Sequence, residues 1–481
     1  MSLAAKLLRT KPIVEAGTDS GLKRVLGALD LTLLGIGAII GAGIFVLSGI
    51  TAATQAGPAV VLSFVVAGFA CACAALSYAE MASSIGGSGS AYGYGYAALG
   101  EFPAWIIGWM LLCEYMVAIP AVSAGWSGYA ADGLRAIGLG LPDALTHTPL
   151  DPKLPGLINL PAFIIVLVLG GLLAVGAKVS AQFNAIMVVV KVLAIFTFIV
   201  AAIPHVTPAN WTPFIPPEVI GTDGRPHFGI NGIFTGAATI FFAYLGFDAV
   251  STAAEETRNP QRDLPIGILG SLFACTALYI VVSVLLTGLV PYTELNVPSP
   301  VAHALLQIGA KTTAGLISIG AVAGLTTVML VMYFGLTRVL FAIARDGLLP
   351  PFFAYVHPKT GTPLGSILVS GLVMLVFSGF VPLGRLAEIA NIGTLGAFVV
   401  VCAGVIVLRR ARPDLPRPFK TPFSPVIPAL GVLSCSYLMY LLGPHTWIAF
   451  GGWMAIGLVT YFLYGYRNSR LGKGVVTPTI V

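Results

Sequence analysis

Charge is what this 481-residue chain has least of. Asp, Glu, Lys and Arg make up 9% of it, where a soluble domain carries about 25%. That shortage excludes a soluble globular protein. The 57% share of hydrophobic residues and a mean hydropathy of +0.93 place the chain among polytopic membrane proteins. Cysteine is scarce too: Cys71, Cys73, Cys113, Cys275, Cys402 and Cys435 all fall in or beside apolar runs. They read as small core residues and suggest neither a disulfide framework nor a metal site. The six histidines lie in or near polar connectors, and no pair has metal-ligand spacing. No nucleophile–base constellation is visible, which argues against an enzyme. No cleavable signal peptide is evident, because the first 27 residues are polar and basic. Nucleotide motifs are missing as well. A dinucleotide fingerprint starting at Gly35 would need glycine where Ile40 stands. Gly86-Gly87-Ser88-Gly89-Ser90 is not followed by Lys-Ser/Thr and reads as a compact entry into the third span.

What is present is apolar sequence in long runs. A spanning helix needs about 20 mostly apolar residues. Twelve spans are expected on that basis, near 28–52, 58–82, 103–130, 157–177, 180–203, 230–254, 265–290, 314–342, 363–380, 383–408, 426–443 and 447–466. With the N-terminus inside, nineteen Lys and Arg residues fall in cytoplasmic segments, among them Arg9, Lys11, Lys178 and the cluster from Arg409 to Lys420. Five fall outside: Arg135, Lys153, Arg225, Lys311 and Arg385. This asymmetry predicts that both termini are cytoplasmic. The net charge of +6 is then mostly a topology signal, and no nucleic-acid partner is needed to explain it.

One basic residue is left over. Lys191 lies about eleven residues from either end of the span 180–203, or ~16 Å of helix from each surface, too deep to snorkel. An ionisable group at this depth marks a functional site or a lysine permanently paired with a buried carboxylate. Burial disfavours a charged ammonium, so such a lysine can gain and lose a proton during a cycle. The first span carries a different signal: Gly35, Gly37, Gly41 and Gly43 within the stretch from Gly35 to Phe45. Gly37 and Gly41 form a GxxxG packing pair. Alternatively, the stretch is a helix that opens near mid-membrane and offers bare N–H and C=O groups to a ligand. The sixth span repeats the theme with Gly246 followed by Asp248. Paired interruptions in two halves point to a transporter site between repeats. Here residues 28–203 and 230–408 are the five-helix repeats, with 426–466 appended, and 1–27 and 467–481 as terminal segments.

Several longer motifs carry a resemblance. They are Gly35 to Phe45; Leu112-Cys113-Glu114-Tyr115 with Gly125-Trp126-Ser127-Gly128-Tyr129; Phe241 to Asp248 running on to Pro260; Leu264-Pro265; and Arg345-Asp346-Gly347-Leu348-Leu349-Pro350. On these the chain resembles an amino-acid permease of the amino acid–polyamine–organocation superfamily, and within it the cationic amino acid transporter family. The resemblance implies an all-α LeuT-like fold of 12 transmembrane helices, built as a 5+5 inverted repeat with helices 1 and 6 discontinuous. It implies a carboxylate seat at the N–H groups of Ala42, Gly43 and Ile44, and carbonyls of Ile39, Phe241, Phe242 and Leu245 facing the α-amine. Phe242 resembles the gating aromatic. Lys191 resembles the lysine that replaces a sodium ion, with Glu114 its expected partner in proton coupling and Asp248 a gate residue.

The function so implied is proton-coupled transport of L-amino acids across the cell (inner) membrane. H+ is the coupling ion and no other cofactor is expected. An exchanger without net proton flow and a transporter-like sensor are the alternatives. The eighth span, bulky and apolar from Leu325 to Met332 apart from Thr326 and Thr327, tilts the substrate towards small neutral amino acids over cationic ones. The lipid bilayer is the other partner, and a single-span accessory protein would not be legible here.

Overall fold

The structure, a computed structural model, describes residues 7–11, 25–85, 91–151, 154–176, 181–221 and 223–474. Lys178, Lys153 and the Gly86–Ser90 stretch lie outside them. Among the described residues eight helices are long and apolar enough to cross a membrane, and four shorter apolar helices accompany them. Fourteen helices carry the fold. The first six are α1 (Ala28–Ile39), α2 (Val60–Ser84), α3 (Ala91–Ala98), α4 (Glu101–Ala136), α5 (Leu160–Ala174) and α6 (Ala181–Ala202). Next come α7 (Gly229–Ile240), α8 (Pro260–Leu289), α9 (Pro300–Gln307), α10 (Lys311–Arg345), α11 (Leu364–Phe380) and α12 (Leu383–Ala411). The last two are α13 (Val426–Tyr440) and α14 (Pro444–Thr460). A hairpin, the one found among the described residues, pairs β1 (Val219–Ile220) with β2 (Pro226–His227) and precedes α7.

Helix α4 is the post around which the bundle stands. It is buried over 94% of its most apolar window, against 22% for the last span. It packs between α10 and α12, while α8 lies against both α1 and α2. The pairings have an internal order. Adding one half-set to each partner turns α1–α8 into α7–α2, α4–α12 into α10–α6, α1–α6 into α7–α12, and α4–α5 into α10–α11; all eight pairs are in contact.

The first and sixth spans are broken, each for a local reason. Helix α1 stops at Ile39 because Ile40 turns to extended backbone (φ −70°, ψ 100°). The chain resumes as a mixed run of π and α turns from Gly43 to Ala56. Helix α7 stops at Ile240, passes through a 3-10 turn at Phe241–Tyr244 and reaches Gly246 at φ +106°. That left-handed conformation favours glycine, and a β-carbon there would also lie 3.0 Å from the Ala38 carbonyl oxygen. A second 3-10 run, Phe247–Glu256, follows.

The two ends of the chain meet at two buried carboxylates. Glu101, at the start of α4, accepts from Arg9 (3.1 Å), Tyr96 (2.9 Å), Tyr461 (3.0 Å) and Ser469 (2.5 Å). Asp346, just past α10, accepts from Lys11 (2.5 Å) and Tyr92 (2.6 Å), and its carbonyl takes the Arg470 N–H.

Candidate functional site

A helix that ends in the core leaves its last carbonyls without partners, and in a dry interior each must find one. The accounting for α1 locates the site. Ile36 O takes the Ile40 N–H at 3.0 Å. Gly37 O takes the Lys191 ammonium at 2.6 Å. Ala38 presses on Gly246 of the other break. Ile39 O takes the Tyr279 hydroxyl at 2.9 Å. For α7 the Asn391 amide donates to Ala238 O (2.8 Å) and Thr239 O (3.0 Å). Ala243 O, in the turn beyond, takes the same Tyr279 hydroxyl at 2.8 Å.

The two breaks touch directly. A β-carbon added at Gly43 would collide with the Ala243 backbone, 2.3 Å from its Cα, so only glycine lets the segments cross there. The other glycines divide their tasks. Gly35 is pressed against Ser271 and Val250, and Gly37 against Val188 and Asn184. Gly41 has only an ordinary contact, Val328 at 3.5 Å. The GxxxG expectation therefore holds for Gly37 and not for Gly41, because at Gly41 the helix has already turned away from its neighbours.

Residues Ala42, Gly43 and Ile44 are buried and head the second half of the first span. The head of a helix has N–H groups with no partner one turn back, and Phe45 N–H reaches Gly41 O at 3.4 Å. Helix α4 braces this half: Tyr129 donates to Phe45 O at 2.8 Å, and Gly125 faces Ala42 and Val46. Trp126 of the same helix donates to Thr326 of α10 at 3.0 Å. A cavity of about 450 Å³ lies beside Val46 and Ile50, with Ser127, Asp132, Asn159 and Leu383 among its lining.

Of the carbonyls expected to face an amine, Ile39 O is held by Tyr279, and Phe242 O accepts the Leu245 N–H at 3.3 Å to close its turn. Phe241 and Phe242 are buried in that turn, Phe241 edge-on to Phe398, and Leu245 ends it. Lys191 and Glu114 are not brought together. The lysine lies along Gly324 of α10 and bonds to Gly37 O. Glu114 is buried on the α12 side of α4, near Gly393 and Thr394, and its charged neighbour is Asp248. Among the described residues, Asp248 Oδ1 and Tyr78 Oη have no hydrogen-bond partner. The Tyr115 hydroxyl bonds to Asp248. At the far end of the second 3-10 run, Glu256, Arg258 and Arg262 enter no ion pair among the described residues. The backbone there pairs with the segment before α1 instead, as Val25 and Leu26 donate to Glu256 O and Arg258 donates to Leu26 O.

Sequence reasoning missed Tyr279 and Asn391, and named Tyr129 only as the end of the Gly125–Tyr129 motif, without a role. The available signal is general: a buried phenol or amide needs a partner.

This geometry defines a class: an all-helical, multi-pass membrane protein whose buried centre is two interrupted helices crossing at backbone distance. A family profile described as amino acid permease matches residues 26–464, and the chain belongs to that family; it is a membrane permease, not an enzyme. The branched-chain amino acid permease BcaP of Bacillus subtilis (strain 168) is 51% identical over 463 residues, 96% of this chain and 97% of that protein. The methylthioribose transporter of the same organism is 46% identical over 472 residues, 98% of this chain and 100% of that one. Cationic amino acid transporter 4 of Mus musculus is 38% identical over 408 residues, 84% of this chain and 62% of its own length.

Proposed function

We propose that this permease is a proton-coupled secondary transporter that carries L-amino acids across the cell (inner) membrane by alternating access, with both termini cytoplasmic. The observation that carries the reading is the crossing of the two breaks, with Lys191 of α6 bonded to the last turn of α1. Amides heading a half-helix suit a carboxylate, which makes Ala42–Ile44 the substrate's carboxylate seat. The carbonyl end of α1 and the turn Phe241–Leu245 suit an ammonium, and Phe242 would close over it. The paired contacts between the two helix sets support twelve spans in two inverted five-helix repeats.

Lys191 would carry the coupling proton. Protonated, it holds α1 against α6; neutral, it donates more weakly and α1 is released. Glu114 and Asp248 form a separate acidic pair, and one proton shared between two buried carboxyls removes their repulsion. Around Lys191 and the first break, α10 presents Gly324 and Val328, with no charge to meet a cationic side chain. A neutral aliphatic amino acid, from alanine up to the branched-chain size in the name of the BcaP relative, fits that face.

Reconstituted protein in vesicles under an inward proton gradient tests this. Accumulation of labelled L-alanine or L-leucine that a protonophore abolishes is expected. Uptake that needs internal amino acid and ignores the protonophore would establish exchange. Binding without accumulation would establish a sensor.

A further inference from the structure

Helix α8 presents a stripe to the first break. Ser271 meets Gly35, Cys275 lies by Lys191 and Tyr279 reaches Ile39. Residues four apart share a helix face, so this is one continuous surface against α1. At its end the Tyr279 hydroxyl lies 2.9 Å from Ile39 O and 2.8 Å from Ala243 O. The ring is fully buried, and it is fixed by Phe64 (centroids 5.3 Å apart) and Tyr244 (5.6 Å). A phenol has one proton, and here two acceptors compete for it, one from each interrupted helix.

We infer that Tyr279 is a positioning residue that ties the two helix breaks together through a single shared proton. Each carbonyl is an orphan of its own break, and each would otherwise be unsatisfied in a dry core. The phenol supplies half a donor to each, which leaves each carbonyl able to accept another hydrogen. When an ammonium arrives at Ile39 O, that carbonyl no longer needs the phenol, and the Tyr279 O–H, its proton still on the phenol oxygen, points fully at Ala243 O. Occupancy of the first break thereby tightens the second. Only this last consequence rests on the amino acid transport reading; the tie itself does not.

The test compares Tyr279→Phe with Tyr244→Phe in the full-length protein. Tyr244 is the fitting comparator because it is in the same aromatic cluster but, although it sits in the turn of the second break, donates to Phe64 O of α2 at 2.8 Å and to neither break's carbonyls. Amide hydrogen exchange needs no substrate. Tyr279→Phe should raise exchange about tenfold in the segments 38–44 and 241–248 together, whereas Tyr244→Phe, which loosens only its own turn, should not raise it in 38–44. A rise in one segment alone, or the same rise in Tyr244→Phe, overturns the tie. In transport, Tyr279→Phe should raise KM about tenfold with Vmax within about twofold, a split that loose packing would not give; an unchanged KM overturns the ammonium step. If Tyr279→Phe does not fold, 3-fluorotyrosine at the same position, a stronger donor of the same shape, should slow exchange in both segments, and no slowing overturns the proposal. A wild-type protein that transports no amino acid would refute the transport reading while the exchange data still decided the tie.

Discussion

Lys191 Nζ donates to the carbonyl oxygen of Gly37 at 2.6 Å, and among the described residues no carboxylate completes the pair. A cation at the negative end of a half-helix is held by the orphan carbonyls and by the dipole behind them. The bond joins α6 to the last turn of α1, beside the first break, which is the part that the proposed alternating-access cycle would move. Lys191→Met keeps the length and apolar stem and removes the charge. Proton-driven uptake should fall at least about tenfold, while the variant elutes as a folded protein. Undiminished uptake that still follows the pH gradient would remove Lys191 from the coupling mechanism.

Glycine at 43 and glycine at 41 should behave oppositely. A β-carbon at Gly43 would sit inside the Ala243 backbone, whereas one at Gly41 would meet Val328 at an ordinary 3.5 Å. Overpacking costs about 1–3 kcal/mol where neighbours can shift, and more where the obstacle is backbone. Gly43→Ala is expected to lower the thermal midpoint and abolish uptake; Gly41→Ala is expected to leave the midpoint unchanged. Equal midpoints for the two variants would mean that the breaks do not cross as described.

How much of this was legible in the sequence follows from what each signal encodes. The glycine density from Gly35 to Gly43, a lysine in mid-span and Gly246 beside Asp248 are costly in hydrocarbon, so their presence announces a purpose. The breaks fall where those costs predict. GxxxG spacing says that two small residues share a face, but not whether the helix still has a neighbour at the second, and Gly41 lies past the turn. Pairing Glu114 with Lys191 assumed a face for the third span. That helix is buried nearly all round, so no amphipathic stripe reveals where Glu114 points. Tyr279 and Asn391 belong to tertiary structure alone, since their partners are carbonyls on other elements, 36 and 240 residues away for Tyr279 and 153 for Asn391.

The clasp between the chain ends offers a stability prediction. Lys11 and Asp346 are both buried and pair at 2.5 Å, and Tyr92 completes the carboxylate's shell. Removing one member of a buried pair strands the other, at a cost of about 3–5 kcal/mol. Lys11→Met and Asp346→Asn should each lower the thermal midpoint by several degrees. The double variant should recover part of the loss, because no charge is then left unpaired. Strictly additive losses would show that the two residues do not interact in solution.

The hairpin before α7 predicts a response to acid. Arg225 donates to Asp223 (2.7 Å) and to Glu388 (2.7 Å), and Thr446 donates to the other Glu388 oxygen (2.8 Å). Burial pushes the Asp223 carboxyl up, but hydrogen bonds from the Arg225 backbone and guanidinium and from His227 outweigh it and hold the carboxyl below its usual range. A carboxylate held lower in the folded state adds stability that is fully present above its unfolded value, about 3.9. That stability is lost as pH falls through the folded value. Wild type should therefore exceed Asp223→Asn in thermal midpoint by a constant margin from pH 5 to 7, and the margin should shrink only below about pH 4. A margin that instead closes between pH 5 and 7 would assign the titration to another group and leave Asp223 without a part in holding the hairpin to α12.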